Sequence, residues 1–401
     1  MRTVWTFHTA QSIVFGQGAV GQLGDIATRL RAQRALIVTD AILDKAGLLE
    51  RVRQPLVAAG LTVAAFTGGE PEPSMKAAVA CYEQAKAFQP DLLVGLGGGS
   101  NMDLAKLAAT LLKHGGGPRD YVGDDKIPGP IFPLICVPTT AGTGSEVSAA
   151  SVVTDTDNHI KVGILSNWLR PSAAVVDPLM TLTCPPKVTA DSGIDALTHA
   201  VEAYTAIDNA DFPLPAGERT VYQGKHPLGD LCAEQAISLV GKFLRRAVQD
   251  GSDLDAREGM ALAALLAGMA FSNVGVALVH AMEYPVGGAV HCSHGAGNGL
   301  LLPYVMRFNL PAKTNAFARI AHLLGENVIG SSEHAAAEKA VAAVEKLRND
   351  IGVPARLRDI GIKPEQLRGL AEKTFGIKRI LRVNPRSVSV DEIEGIFKEA
   401  F

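Results

Sequence analysis

Apolar runs and segments of helical spacing alternate through the first half of the chain. Residues 35–40, Ala-Leu-Ile-Val-Thr-Asp, form a short apolar run that reads as a buried strand, and 44–59 carry a helical period. Residues 62–67 are β-rich, and Ser74 is placed to cap a helix running to Phe88. The run 91–96 reads as another strand, followed by glycines and a helix over about 101–112; residues 131–140 supply a further strand. Short buried strands between helices predict an α/β domain, a parallel sheet with helices on both faces. Residues 147–165 predict a hairpin with a polar turn at Asp155-Thr-Asp-Asn158, and 173–177 a last strand.

From Cys184-Pro-Pro186 onward the pattern changes to long Ala/Leu-rich segments of helical period: 188–206, 230–248, 254–282, 315–324, 333–350 and 364–374. The boundary falls near Pro185, giving an α/β domain over 1–184 and an all-helical domain over 185–401. Residues 208–229, rich in Pro, Gly and Asp, interrupt the helices and predict a long surface insertion. Residues 259–282 carry no Asp, Glu, Lys or Arg and are long enough to cross a bilayer. They include Ser272, Asn273 and His280 with many Gly and Ala, have no flanking Lys/Arg cluster, and have no second span beside them. A buried core helix is the reading that fits.

Composition narrows the class. A chain of 401 residues that is 47% hydrophobic and 20% charged is a folded protein of about two domains. Lys+Arg 38 against Asp+Glu 41, with neither sign in a long block, excludes a large nucleic-acid footprint. The five cysteines (Cys81, Cys136, Cys184, Cys232, Cys292) are scattered without a Cys-x-x-Cys pair, as expected of a reducing cytoplasm. The N-terminal stretch MRTVWTFHTAQSIVFGQG lacks the apolar run and cleavage site of a signal peptide.

Two glycine-rich loops carry candidate chemistry. Gly95-Leu-Gly-Gly-Gly-Ser-Asn-Met-Asp103 lies between a strand and a helix, where free N–H groups and close backbone approach suit an anion. Its sixth position is Ser100 rather than Gly, so the strict dinucleotide fingerprint is not met, and a tight turn alone would also account for it. Pro138-Thr-Thr-Ala-Gly-Thr-Gly-Ser-Glu146 follows the next strand, and loops at the carboxyl ends of neighbouring strands line one crevice. Asp40 also ends a strand; a carboxylate there accepts from a ribose 2′-hydroxyl and repels a 2′-phosphate, or simply caps a helix.

Asp195 and His199 stand at i and i+4 and share a helix face, the arrangement either of an exposed hydrogen-bonded pair or of two metal ligands. His280 closes the uncharged helix and His294 opens the next one, so one carboxylate and three imidazoles are available to a divalent first-row metal. His291 with His294 is a competing local pair that would leave His280 structural. The other histidines, His8, His114, His159, His226, His322 and His334, sit in polar or loop contexts and are expected at the surface.

Four motifs in order, GGGSNMDLAK (97–106), PTTAGTGSE (138–146), GIDALTHAVEAY (193–204) and HAMEYPVGGAVHCSHGAGNGLLLP (280–303), closely resemble the iron-containing (group III) alcohol dehydrogenases. The resemblance runs from about Phe15 to Asn309. It implies an N-terminal dinucleotide-binding domain, a C-terminal helical domain and an active site in the cleft between them. Hydride transfer between a small alcohol or aldehyde and NAD is implied, with NAD preferred to NADP at the position of Asp40. Implied metal ligands are Asp195, His199, His280 and His294, holding Fe2+, with Zn2+ also compatible with this donor set. Implied pyrophosphate contacts are Gly97, Gly98, Gly99 and Ser100, with Asp103 nearby. Thr139, Thr140 and Thr143 would lie along the nicotinamide nucleotide, and Lys161 would reach the ribose. A homo-oligomer, dimer or larger, is implied, with no membrane or nucleic-acid partner.

Two positions depart from that pattern. Where many members carry a histidine four residues after the third ligand, this chain has Tyr284, a poor base at neutral pH, so no catalytic proton-relay side chain is assigned. The segment 208–229 is similar to one in the hydroxyacid–oxoacid transhydrogenase branch, which gives the alternative function: hydride shuttling between two substrates on a retained nicotinamide.

Overall fold

The computed structural model describes residues 4–158, 160–215 and 217–401. Residues 1–3 of the N-terminal stretch and His159 lie outside the described residues. Contacts divide the chain into one unit of His8–Cys184 with Arg219–Val221, and another of residues 4–7, Pro185–Glu218 and Tyr222–Phe401.

The first unit alternates strand and helix: β1 (Ile13–Phe15), α1 (Leu23–Arg29), β2 (Arg34–Val38), α2 (Ala41–Lys45), α3 (Leu48–Ala58), β3 (Thr62–Phe66), α4 (Met75–Phe88), β4 (Leu92–Gly97) and α5 (Gly99–His114). There follow β5 (Gly123–Asp124), β6 (Leu134–Pro138), the β7 (Ala150–Asp155) and β8 (Ile160–Leu165) hairpin, and β9 (Ala173–Val176). Six strands form one sheet in the order β1-β9-β6-β4-β2-β3, every pairing parallel. Successive side chains of β2 serve opposite faces. Leu36 and Val38 pack into the core shared with α4 and α5, while Ala35 and Ile37 pack against α1 and α3. The sheet is thus buried on both sides, as its continuous apolar strands predict. The hairpin is antiparallel, pairing Asp155 with Ile160, and Ser74 caps α4 by accepting from the Ala77 N–H at 3.0 Å.

One local reading changes and two elements are added. The helix expected over 44–59 is two helices, because Gly47 takes a left-handed φ of 77° between α2 and α3. Strand β1 and helix α1 precede the first element read from the sequence; β1 is only three residues long and gives no periodicity to detect.

The second unit is helical: α6 (Pro186–Thr205), α7 (Pro227–Gln249), α8 (Leu254–Val274), α9 (Leu278–Val290), α10 (His294–Asn309), α11 (Thr314–Leu323), α12 (Glu333–Asp350), α13 (Leu367–Gly376), α14 (Lys378–Leu381) and α15 (Val390–Ala400). The uncharged stretch is not one helix. It breaks at Gly275 (φ 123°), whose added Cβ would lie 2.7 Å from Val383, and α8 and α9 meet at a bend of 103°. His280 therefore stands in the first turn of α9 rather than at a helix end. No single helix among the described residues is long and apolar enough to cross a membrane.

The segment 208–229 is not a surface insertion throughout. Val221, Tyr222 and Gln223 are buried, and the N–H groups of Gln223 and Gly224 donate to the carbonyls of Asn273 and Val274 at the end of α8. Its loop-like composition concealed this capping role. His226, expected at the surface, is buried. It is the N-cap of α7, its Nδ1 accepting from the Gly229 N–H at 3.2 Å, and its ring stacks on Trp5 at 4.7 Å.

Burial, with a smaller contribution from Lys225, pushes His226 down to about 4. Its folded value thus lies below its unfolded value near ~6.5. As pH falls the unfolded chain takes the proton first, so the stabilisation present above pH ~6.5 is lost progressively toward pH ~4, by about 3 kcal/mol in all. His226→Asn, which retains a capping side chain, is expected to flatten this acid-side fall in melting temperature. Scanning calorimetry across that range checks it, and an unchanged slope in the variant would exonerate His226.

Candidate metal centre and nucleotide loops

Helix α6 carries Asp195 and His199 one turn apart, and neither is exposed: they are 2% and 5% accessible. Glycines let α10 approach α6 closely. A Cβ at Gly295 would lie 2.0 Å from the Asp191 carbonyl oxygen, and one at Gly299 would lie 2.6 Å from Ile194 Cγ2. This brings His294, the first residue of α10, beside Asp195, while the first turn of α9 delivers His280. His280 Nε2 and His294 Nε2 each stand 3.9 Å from Asp195 Oδ1, and the three donor atoms lie within 4.8 Å of one another.

His199 stands beside this trio. Its Nδ1 is 3.8 Å from Asp195 Oδ2, and its ring stacks on Phe271 at 4.1 Å and on His280 at 4.7 Å. His291 is exposed at the C-cap of α9 with a left-handed φ of 52°, and it is not among the three converging donors.

Three residues that the sequence reading missed surround the donors. Glu202 Oε2 is 2.6 Å from His280 Nδ1 and accepts from the Ala277 N–H, while Oε1 accepts from the Val279 N–H at 2.6 Å. Glu283 Oε2 is 2.5 Å from His294 Nδ1. With a carboxylate on each Nδ1, the ring proton belongs there and each Nε2 turns a lone pair inward. Asn298 Nδ2 lies 2.8 Å from Asp195 Oδ1 and 3.1 Å from both Nε2 atoms. Spacing was the available signal: Glu202 is two helical turns from Asp195, and Asn298 one turn from His294.

The donor chemistry fits a divalent cation. An amide has two hydrogens for three acceptors, so one lone pair of the trio stays unsatisfied by Asn298. Burial opposes ionisation of Asp195, but His199, His294, His280 and the Asn298 amide outweigh it and hold the carboxyl below its usual range. One buried carboxylate and inward imidazole lone pairs are a first-row metal set.

Comparison with known proteins decides the family. The profile described as iron-containing alcohol dehydrogenase matches residues 10–178, and that of the Fe-containing alcohol dehydrogenase family, C-terminal, matches 216–401. The chain belongs to the iron-containing alcohol dehydrogenase family. An NAD-dependent methanol dehydrogenase of Bacillus methanolicus is 38% identical over 98% of this chain and 99% of its own length. A 1,3-propanediol dehydrogenase of Klebsiella pneumoniae is 40% identical over 96% of each. The crystal structure of a 1,3-propanediol oxidoreductase superposes with a TM-score of 0.93 at 39% identity, covering 99% of this chain and 100% of that one.

In the first unit, β2, β4 and β6 are sheet neighbours, and each sends a candidate segment from its carboxyl end. Gly97 has φ 145°, and a Cβ there would lie 2.3 Å from Asn101 Nδ2. Gly98 and Gly99 abut the second loop: a Cβ would lie 3.4 Å from Thr140 Oγ1 and 2.9 Å from Thr143 Cγ2 respectively. The Thr139 N–H donates to the Gly97 carbonyl at 3.0 Å, holding the loops side by side. Asp40 is a helix N-cap, its Oδ1 accepting from the N–H groups of Ile42 and Leu43, and its Oδ2 accepts from Asn101 Nδ2 at 2.7 Å, tying it to the glycine loop.

The remaining expected contacts are engaged within the protein. Ser100 Oγ donates to the Pro71 carbonyl, Asp103 accepts from Ser145 Oγ and the Val152 N–H, and Lys161 pairs with Glu72 at 2.6 Å. The sequence reading missed Lys106. Fully buried, it donates to Ser145 Oγ, to Ser148 Oγ and carbonyl, and to the Ala150 carbonyl, pinning the second loop. Burial lowers its pKa against the opposing pull of Asp103.

Proposed function

We propose that the protein is an NAD-dependent, metal-dependent alcohol dehydrogenase, working reversibly as an aldehyde reductase on a small primary alcohol or diol. The observation that carries this reading is the convergence of Asp195, His280 and His294, both histidines braced on Nδ1 by buried carboxylates. It occurs in a chain that aligns along nearly its whole length with an NAD-dependent methanol dehydrogenase and with 1,3-propanediol dehydrogenases. The balanced reaction takes a hydride from the carbinol carbon to nicotinamide and releases one proton, leaving an aldehyde. When bound by Asp195, His280, His294 and His199, Fe2+ or Zn2+ would supply a Lewis acid to the alcohol oxygen.

The protein's own residues supply the rest. Asp195 contributes the negative charge of the ligand set, and Glu202 and Glu283 keep the imidazole lone pairs inward. The N–H groups of Gly97, Gly98, Gly99 and Ser100, at the start of α5, would hold the pyrophosphate. Thr139, Thr140 and Thr143 would line the nicotinamide nucleotide, with Lys161 at the ribose and Asp103 fixing the loop that carries them. Burial, against a lowering by Arg379, pushes the Tyr284 phenol up to about 12, so it keeps its proton at neutral pH and does not act as the base. The protein is further proposed to be a cytoplasmic homo-oligomer, with free cysteines suited to a reducing compartment and no nucleic-acid or membrane partner.

The test is metal-loaded protein assayed against a panel of small primary alcohols and diols with NAD and with NADP. Reduction of added NAD supports the reading; no reduction with any of them would overturn it. A hydroxyacid–oxoacid exchange without added NAD would instead favour a transhydrogenase. Asp40→Asn keeps the cap on α2 but removes the charge that faces a 2′-phosphate, so the NAD-to-NADP ratio of kcat/KM is expected to fall about tenfold. An unchanged ratio would place cofactor choice elsewhere.

A further inference from the structure

The bracing of the metal ligands runs in a closed circuit through three helices. Glu202 of α6 holds His280 of α9; Glu283 of α9 holds His294 of α10; Asn298 of α10 holds Asp195 of α6. Each ligand is aimed by a side chain from a different helix, so none of the three helices can shift without turning a ligand. We propose that Glu202, Glu283 and Asn298 are positioning residues that preorganise the donor trio for a divalent cation, an inference that rests on the metal-site reading above.

Glu283 shows why fold stability alone does not explain the arrangement. Its side chain is fully buried, and its Oε1 has no hydrogen-bond partner among the described residues. Gly297 leaves room for it, since a Cβ there would lie 2.8 Å from Glu283 Cγ. A buried carboxylate with one oxygen unsatisfied is costly to a fold. The cost is offset when the imidazole it braces binds a cation through the opposite nitrogen, because that imidazole's Nδ1–H becomes a stronger donor. Glu202 adds a second task. By accepting from the Ala277 and Val279 N–H groups it satisfies the first turn of α9 just after the bend, fixing where His280 starts.

The experiment titrates metal-free protein with Co2+, followed by its visible absorption, and measures the melting temperature of the same metal-free samples. Wild type is expected to bind one Co2+ per chain. Glu283→Gln, which keeps shape and an acceptor but loses the charge, is expected to weaken Co2+ binding about 10–100-fold. Its metal-free melting temperature should stay equal or rise. Weakening of less than about fivefold, or weakening accompanied by a lower metal-free melting temperature, would overturn the positioning role. If Glu283→Gln does not fold, Glu202→Gln decides by the same threshold on Co2+ affinity, with a displaced visible band as the sign that His280 has turned. Failure of wild type to bind Co2+ would instead sink the metal-site reading itself.

Discussion

Asp195→Asn is expected to lower kcat/KM for alcohol oxidation by at least about a thousandfold, the loss of roughly 4 kcal/mol of Lewis-acid stabilisation. The change preserves shape. What it removes is the one negative charge among the converging donors, and it turns an amide toward the Asn298 amide, which now donates to Asp195 Oδ1 at 2.8 Å. Neutral imidazoles alone would have to hold a divalent ion in a site where Asp195 and His280 are almost wholly buried. Metal content should therefore fall well below one per chain. Losing the charge also leaves the Asn298 amide without its acceptor, so the metal-free protein should melt somewhat earlier than wild type. Steady-state kinetics, metal analysis and calorimetry on the one variant separate the cases. Near-wild-type kcat/KM would remove Asp195 from the chemistry.

Gly295→Ala should be nearly as damaging by a steric route. The added Cβ would sit 2.0 Å from the Asp191 carbonyl oxygen and 3.2 Å from Asp195 Cβ. The nearest obstacle is backbone, which cannot rotate away, so α10 has to move off α6. Overpacking of this kind costs about 1–3 kcal/mol or more, a fall of several degrees in melting temperature. Because His294 is the neighbouring residue, the same displacement should weaken metal binding at least about tenfold, roughly 1.4 kcal/mol. Gly288→Ala is the matched control. A Cβ there meets nothing within 4 Å in α9, so it should be neutral or slightly stabilising. If Gly295→Ala behaved like Gly288→Ala, close approach of the two helices would not be what assembles the site.

Apolar runs such as 91–96 and the Ala/Leu period of 333–350 revealed the parallel sheet and the long helices, because periodicity is a local property. The residues His280 and His294 could be singled out from motif spacing, but the bend that delivers His280 could not. It depends on Gly275 lying against Val383 and Tyr222, contacts distant in sequence. Glu202, Glu283 and Asn298 escaped notice because acidic and amide residues on helices usually face water, and only tertiary packing turns these inward. Helix α15 was missed although Ser389 and Glu392 form a capping box that the sequence does display. His226 was misplaced for the opposite reason: a loop-like composition around it concealed its stacking on Trp5.

One divalent cation, proposed to be held by side chains of α6, α9 and α10, is what would make this protein an alcohol dehydrogenase. Anaerobic titration of metal-stripped protein with Fe2+, following NADH formation from a short primary alcohol, tests it most directly. Activity is expected to rise from near zero to a plateau at one Fe2+ per chain. Full turnover without added metal, or none at any loading, would contradict it.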